Sequence, residues 1–154
     1  MTILILNGPN LNMLGIREPE IYGKQDYHAL EAYCREACRE LGEGVTGGID
    51  CEIYQSNHEG DLVDRIQQAY FDGTDGIVIN PAAYTHTSVA IMDALKAVSI
   101  PAVEVHLSNI DSRDEFRHVS YAGKACVRSL MGYGFEGYKK AVAFLTGQCG
   151  DLPS

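Results

Sequence analysis

Short apolar runs separated by stretches of helical period constrain the fold of this chain more than any other feature. Residues 3–7 are almost continuously apolar, which is typical of a strand buried on both faces. Residues 76–80 form a similar run, residues 49–53 and 102–106 alternate as strands do, and a fifth run, which Arg128 interrupts, lies within residues 125–131. Between and after these runs, apolar side chains recur with helical spacing in stretches beginning near residues 27, 62, 89 and 135.

Strands that alternate with helices form a parallel sheet. The pattern therefore predicts an α/β fold: a flavodoxin-like three-layer sandwich with a five-stranded parallel sheet of order 2-1-3-4-5.

The ends of the predicted elements carry recognisable signals. Asp26 precedes the first helical stretch in the manner of an N-cap, and glycines at positions 42, 44, 47 and 48 follow it. No linker, repeat or low-complexity segment divides the 154 residues. We therefore expect one domain over residues 1–154, with residues 150–154 as a frayed tail.

Composition narrows the classes of partner. The formal net charge is −9 and no basic run is present, which argues against a nucleic-acid partner. An anionic substrate stays possible, because a few arginines in one pocket can reverse the local sign. No stretch approaches the roughly 20 apolar residues of a membrane span, and the N-terminus lacks the pattern of a signal peptide. We expect a cytoplasmic protein without membrane contact.

The five cysteines form no CxxC motif. Cys34 and Cys38 have a spacing that two metal ligands could use on a helix, but no further ligand stands nearby in the sequence. Reduced thiols in a cytosolic protein are the simpler interpretation, and we expect no metal.

Polar side chains cluster after three of the predicted strands. Because the first, third and fourth strands are neighbours in the predicted order, their clusters should open onto one edge of the sheet, where open α/β folds bind ligands. The three clusters consist of Asn7, Asn10, Asn12, Arg17 and Tyr22; of Asn80, Tyr84, Thr85 and His86; and of Glu104, His106, Ser108, Asn109, Arg113 and Arg117.

Each cluster taken alone has a plainer explanation. Glu104 and His106 should share a strand face, yet a polar strand end that starts a loop would look the same. Tyr22 in a loop is more often a packing residue, although Arg17 five positions earlier would favour its phenolate and make it a candidate base. Arg113 and Arg117 would also suit a solvated turn.

Other chemistries have weak support in the sequence. No P-loop, GxGxxG or GxSxG motif is present, and the histidines show no metal spacing. A Schiff-base lysine is not excluded by residue type, but no lysine sits at an apolar strand end. Acid–base chemistry without a cofactor remains, carried by a tyrosine, a histidine, carboxamides and arginines.

Five ordered motifs give these residues a family context. Over essentially its whole length the chain resembles the type II 3-dehydroquinate dehydratases, the small dehydroquinases of the shikimate pathway. The resemblance is carried by residues 5–15 (ILNGPNLNMLG), 17–23 (REPEIYG), 55–60 (QSNHEG), 80–88 (NPAAYTHTS) and 104–109 (EVHLSN), followed by Phe116 and Arg117.

The resemblance implies a reaction and a division of roles. The family removes water from 3-dehydroquinate by anti elimination through an enolate, giving 3-dehydroshikimate. By resemblance Tyr22 is the general base and Arg17 lies next to it, keeping the phenolate accessible. His106 is the general acid that Glu104 orients, and Asn12 stabilises the enolate oxygen through a water molecule.

The resemblance also implies substrate contacts and an assembly. The positions that would hold the hydroxyls and carboxylate of the substrate are Asn80, His86, Leu107, Ser108 and Arg117. Asp93 matches a residue that reaches the site of a neighbouring subunit, and the family assembles as a dodecamer of four trimers. Arg113 matches a position of less certain role and is left out of the core site.

Two alternatives stay open at this point. A binding or signalling module with a flavodoxin-like fold could have lost activity, but such a relative should lack Tyr22, Arg17 or His106, and all three are present. The same reaction could also serve quinate breakdown, because the site would be identical.

Overall fold

A parallel sheet with helices on both faces is the framework of the computed structural model, which describes residues 1–16, 20, 25–112 and 114–149. Within these residues the strands are β1 (Thr2–Asn7), β2 (Asp50–Gln55), β3 (Gly76–Asn80), β4 (Ala102–His106) and β5 (Arg128–Met131). The α-helices are α1 (Tyr27–Gly42), α2 (Glu59–Asp72), α3 (Val89–Val98) and α4 (Glu136–Leu145). All neighbouring strands pair in parallel, in the order β2-β1-β3-β4-β5, so the predicted fold class and strand order are confirmed.

Alternate side chains of the central strands supply two separate cores. Ile3, Ile5 and Val78 point to one face, where they pack with residues of α1 and α4. Leu4 and Leu6 point to the other face and pack with residues of α2 and α3. This arrangement explains why β1 reads as a continuous apolar run, since neither of its faces meets water.

Helix ends follow the local signals in the sequence. The Asp26 carboxylate accepts a hydrogen bond from the Ala29 amide at 2.8 Å and caps α1 as predicted. Ser88 caps α3 in the same way, accepting from the Ile91 amide at 2.9 Å.

The helical spacing of the sequence places Tyr70 and Val89 on the apolar stripes of α2 and α3, but neither residue is buried. Tyr70 is 61% exposed and packs edge-on against Phe71. Val89 is 47% exposed, because the buried face of α3 runs through Ile91, Ala94 and Leu95 on the other side of the helix. Helical spacing in the sequence does not by itself determine which of these neighbouring positions faces the sheet.

The fifth strand is shorter than the region in which it was expected. A 3₁₀ helix, Ala122–Ala125, ends at the first residue of that region, and β5 begins at Arg128 itself. The strand lies at the sheet edge, where the Arg128 guanidinium packs over the Phe144 ring at 5.4 Å from its centroid. An edge position therefore accommodates the charge that interrupts the apolar run.

Within the described parts of the chain, no helix has the length and apolar character needed to cross a membrane. The same residues contain no group of three His, Cys, Asp or Glu side chains placed to hold a metal ion. Cys34 and Cys38 are buried between α1 and the sheet, and burial raises the pKa of the Cys34 thiol.

Candidate active site

The carboxyl ends of β1, β3 and β4 open onto a cavity of about 140 Å³. Because parallel strands end at the same sheet edge, the loops that follow them meet there. The described residues that line the cavity are Pro9, Asn10, Leu11, Leu14, Asn80, Ala82, Ala83, His86, His106, Leu107, Ser108, Ile110 and Arg117. All three predicted clusters thus contribute to one wall.

A buried acid–imidazole pair ends β4. Glu104 and His106 share a strand face, and the Nε2 of His106 donates to the Oε1 of Glu104 at 2.9 Å. Glu104 is 0% exposed and His106 is 6% exposed. Burial by itself raises the pKa of Glu104, but the hydrogen bonds from His106, Ser120 and Ser129 outweigh it and lower the pKa below its ordinary value. The carboxylate therefore stays charged beside the imidazole, and His106 itself lines the cavity.

His86 contributes a neutral imidazole to the cavity. Its Nδ1 donates to the Val119 carbonyl at 2.8 Å. Burial lowers the pKa of His86, the charges of His106 and Arg117 lower it further, and the Val119 contact and Glu104 oppose them with a smaller effect. A neutral ring that donates through Nδ1 presents Nε2 as an acceptor, which suits a hydroxyl group on a ligand.

Asn80 is fixed in place by a buried hydrogen-bond network at the end of β3. Its Nδ2 donates to the Tyr138 hydroxyl at 3.1 Å, and its Oδ1 accepts from the Ala82 amide at 3.1 Å. The Tyr138 hydroxyl in turn donates to Asn7 at 2.7 Å. Because Tyr138 of α4 is fully buried, this network ties the ends of β1 and β3 to the helix behind them.

Two loops approach closely above these strand ends. The Gly8 amide donates to the Asn80 carbonyl at 2.8 Å, and a Cβ on Gly8 would lie 2.4 Å from the Pro81 oxygen. Asn10 and Ala82, which both line the cavity, have positive φ values of 68° and 52°. Strain of this kind in non-glycine residues persists where surrounding contacts impose it, and it concentrates at functional sites.

The electrostatic character of the cavity opposes that of the whole molecule. The chain carries a formal net charge of −9, yet its described cavity lining contains Arg117, His86 and His106 and neither aspartate nor glutamate. Leu107 and Ser108 contribute the backbone that follows β4. Such a lining favours a small anionic ligand.

Several predicted site residues lie away from this wall. Asn12 sits in the exposed part of a 3₁₀ helix, Leu11–Met13, where its side chain accepts from Gln55 at 3.4 Å, and it does not line the cavity. Asp93 is exposed on α3 and also lies outside the lining. Arg17, Tyr22 and Arg113 fall outside the described residues.

Two serines that contact Glu104 were not predicted from the sequence. Ser120 and Ser129 donate to the carboxylate from a loop and from β5, at 2.5 and 2.7 Å. Neither serine belongs to a motif. The one available signal was register, because placing β5 beside β4 sets Ser129 opposite Glu104.

Comparison with known proteins places this geometry in a family. The model of the family described as Dehydroquinase class II matches residues 1–146. The 3-dehydroquinate dehydratase of Rhodopseudomonas palustris (strain BisA53) is 52% identical over 149 residues, covering 97% of this chain and 95% of the relative.

Solved structures agree with the sequence relatives. A type II dehydroquinase from Butyrivibrio crossotus superimposes with a TM-score of 0.88 at 52% identity, covering 94% of this chain and 97% of that one. A type II dehydroquinase from Propionibacterium acnes gives a TM-score of 0.86 at 43% identity, covering 95% and 96% of the two chains. From its sequence, its strand order and these likenesses, the chain belongs to the class II dehydroquinase family.

Proposed function

We propose that this chain dehydrates 3-dehydroquinate to 3-dehydroshikimate. The observation that carries the proposal is the buried Glu104–His106 pair, which ends β4 at the wall of a cavity that Arg117 also lines. Family membership supports it, because relatives about half identical to this chain are named for that reaction. 3-Dehydroquinate is a small carboxylate, and the charge of the lining residues suits it.

The reaction begins with loss of the proton beside the ketone. Tyr22, as phenolate, accepts that proton, and the electrons of the C–H bond form an enolate. By resemblance to the family, Arg17 keeps the phenolate of Tyr22 accessible, since a nearby cation favours the charged form. Asn12 holds a water molecule against the enolate oxygen, because developing negative charge needs donors already in place.

The reaction ends with loss of the hydroxyl group from the opposite face. The enolate electrons form the new double bond as the C–O bond breaks, and His106 protonates the departing hydroxyl to release water. Glu104 occupies Nε2 of His106, so Nδ1 is the nitrogen that delivers the proton. Glu104 also holds the ring in the orientation from which His106 donates.

The remaining residues hold the substrate. His86 accepts from a substrate hydroxyl through Nε2, and Asn80 contacts a second hydroxyl from its rigid position. The amides of Leu107 and Ser108 and the guanidinium of Arg117 bind the carboxylate. The reaction requires neither a Schiff base nor a cofactor, because the β-hydroxy ketone already carries its own electron sink.

The active form is a dodecamer of four trimers in the cytoplasm. Asp93 projects from the exposed side of α3 and completes the site of a neighbouring subunit. Residues 1–154 act as one catalytic domain. The enzyme serves the shikimate pathway and thereby the synthesis of chorismate and aromatic amino acids.

The first test is direct. Purified protein mixed with 3-dehydroquinate should generate the ultraviolet absorption of the conjugated enone product, at a rate proportional to enzyme concentration. Folded protein that gives no signal would overturn the lyase assignment. Treatment with borohydride in the presence of substrate should leave activity intact, whereas inactivation would indicate an imine mechanism.

A genetic test separates the two pathway roles. Deletion of the gene should make growth dependent on added aromatic compounds if the enzyme is biosynthetic. Unimpaired growth without them, combined with lost growth on quinate, would assign the enzyme to quinate breakdown.

A further inference from the structure

The Glu104 carboxylate is enclosed by donors from three separate elements. His106 Nε2 and Ser120 Oγ donate to Oε1 at 2.9 and 2.5 Å, and Ser129 Oγ donates to Oε2 at 2.7 Å. Ser120 lies in the loop before the 3₁₀ helix Ala122–Ala125, while Ser129 lies on β5 directly opposite Glu104 in the register. The carboxylate thus receives three hydrogen bonds although no part of it meets solvent.

Ser120 is itself oriented by the backbone. Its Oγ accepts from the Gly123 amide at 2.9 Å, so its single proton is directed to Glu104. A hydroxyl held at both ends in this way sets the position of the carboxylate.

Gly123 leaves the space that this arrangement requires. A Cβ at position 123 would lie 2.5 Å from Glu104 Oε2, 2.9 Å from Ser120 Oγ and 3.1 Å from Ser129 Oγ. Its backbone conformation is not of the left-handed kind, so glycine is required here for space and not for conformation.

We propose that Ser120 and Ser129 are positioning residues that hold the Glu104 carboxylate toward His106, and that Gly123 provides the space for it. The effect of this positioning on turnover rests on the proposed function, since it acts through the acid His106. In this arrangement Glu104 is the acceptor for His106 Nε2, so the other ring nitrogen, Nδ1, is the one that serves the substrate. The other titratable groups that Glu104 influences are Cys126, whose pKa burial and this carboxylate raise, and His86 across the cavity.

Removal of the hydroxyls tests the proposal without relying on turnover. The variants are Ser120→Ala, Ser129→Ala and the double variant, and the readout is the infrared carbonyl stretch of protonated Glu104, identified by its loss in Glu104→Gln. Each lost donor should move the titration midpoint of Glu104 upward by about one pH unit, because hydrogen bonds to a carboxylate favour its charged form. An unchanged midpoint in the double variant would overturn the proposal.

Kinetics provide the second readout. In the enone assay each single variant should lower kcat about tenfold with little change in KM, since the substrate contacts are untouched. Ser129→Thr should restore the wild-type values, because Ser129 is solvent-exposed at the sheet edge and a methyl group has room there. Ser99→Ala, at an exposed serine after α3, serves as the matched control.

The two proposals fail in different ways. A wild-type protein that forms no enone would defeat the proposed function, while the infrared midpoints would still decide whether the serines hold Glu104. If Ser129→Thr does not recover kcat and the alanine variants leave the Glu104 midpoint unshifted, the two serines only pack against Glu104 and do not position it.

Discussion

At the scale of single residues, a charge buried at the end of β4 is the central feature. An ionised carboxylate without solvent is costly unless donors replace the lost water. Glu104 has three such donors, and one of them is the imidazole that we propose as the acid. The same contacts that make the buried charge tolerable therefore fix the ring orientation of His106.

Substitution of the acid and base should separate chemistry from folding. We expect His106→Ala and Tyr22→Phe each to lower kcat by about 10²–10⁴-fold, the usual contribution of one acid–base partner. Steady-state kinetics would measure the loss, and circular dichroism would check the fold. His28→Ala removes an exposed histidine on α1 and should behave as wild type. Near-normal turnover of Tyr22→Phe would show that the base lies elsewhere.

The charge of Glu104 should also be visible in acid stability. Because its pKa is lowered in the folded protein, its stabilisation is complete above about pH 4.3, the value for an unfolded glutamate, and is lost as the pH falls through the folded pKa. We therefore expect the gap in unfolding temperature between wild type and Glu104→Gln to narrow as the pH is lowered from 7 to 3. Glu43→Gln, at an exposed surface pair, should show a small gap throughout. A constant gap for Glu104→Gln would contradict the assigned charge state.

At the scale of elements, the strand ends determine the shape of the cavity. The loops after β1 and β3 touch through Gly8 and Pro81, and a buried tyrosine from α4 links the asparagines at both strand ends. The cavity wall is therefore rigid where it is built from strand ends, as a preorganised site requires.

Closing the gap between these loops should damage the site. Gly8→Ala would place a Cβ 2.4 Å from the Pro81 carbonyl, and backbone atoms cannot give way cheaply. We expect kcat to fall and the thermal unfolding midpoint to drop together. Gly60→Ala, at an open position in α2, is the matched control and should retain both. Wild-type kinetics of Gly8→Ala would show that the loops adjust without cost.

The Asp26 cap of α1 should contribute to the stability of the fold and not to catalysis. Asp26→Ala removes the acceptor of the Ala29 amide and should cost about 1 kcal/mol, which chemical denaturation can measure. Asp26→Asn keeps an acceptor in the same place, so its free energy of unfolding should stay within a few tenths of a kcal/mol of the wild-type value. Equal losses in both variants would point to the charge of Asp26 and not to its cap.

At the scale of the whole molecule, an acidic protein presents an arginine at its cavity. The formal net charge is −9, while the Arg117 guanidinium makes the described cavity lining locally favourable for a carboxylate. Asp93, like Asn12, is a predicted site residue that does not line this cavity, and it is exposed on α3. An exposed carboxylate without a role in its own site is available to a neighbouring subunit.

Mixed assemblies should reveal a shared site. Asp93→Ala should lower kcat/KM while sedimentation shows an unchanged dodecamer. When subunits carrying Asp93→Ala and His106→Ala are unfolded and refolded together, activity should return, because some sites then receive an intact residue from each subunit. Absence of recovery in mixed dodecamers, or a fully active monomer of Asp93→Ala, would exclude the inter-subunit role.

The sequence by itself determined the order and type of the elements. The alternation of strands and helices predicts a parallel sheet, and the predicted cap at Asp26 and the predicted ends of β3 and β4 coincide with the observed ones. These features are local, because burial on two faces and capping leave their trace in neighbouring residues. The pairing of Glu104 with His106 was also predictable, since a strand places alternate residues on one face.

Only the tertiary structure decided how the pair is held and what surrounds it. Ser120 and Ser129 reach Glu104 from 16 and 25 residues away, and Tyr138 reaches Asn7 from 131 residues away. No local period records such contacts, because they depend on which strand lies beside which and in what register. The opposite burial of Ile91 and Val89 on one helix was likewise decided by packing against the sheet. The chain thus encodes its layers locally, whereas the charge of the Glu104 carboxylate and the orientation of the proposed acid beside it depend on contacts between distant segments.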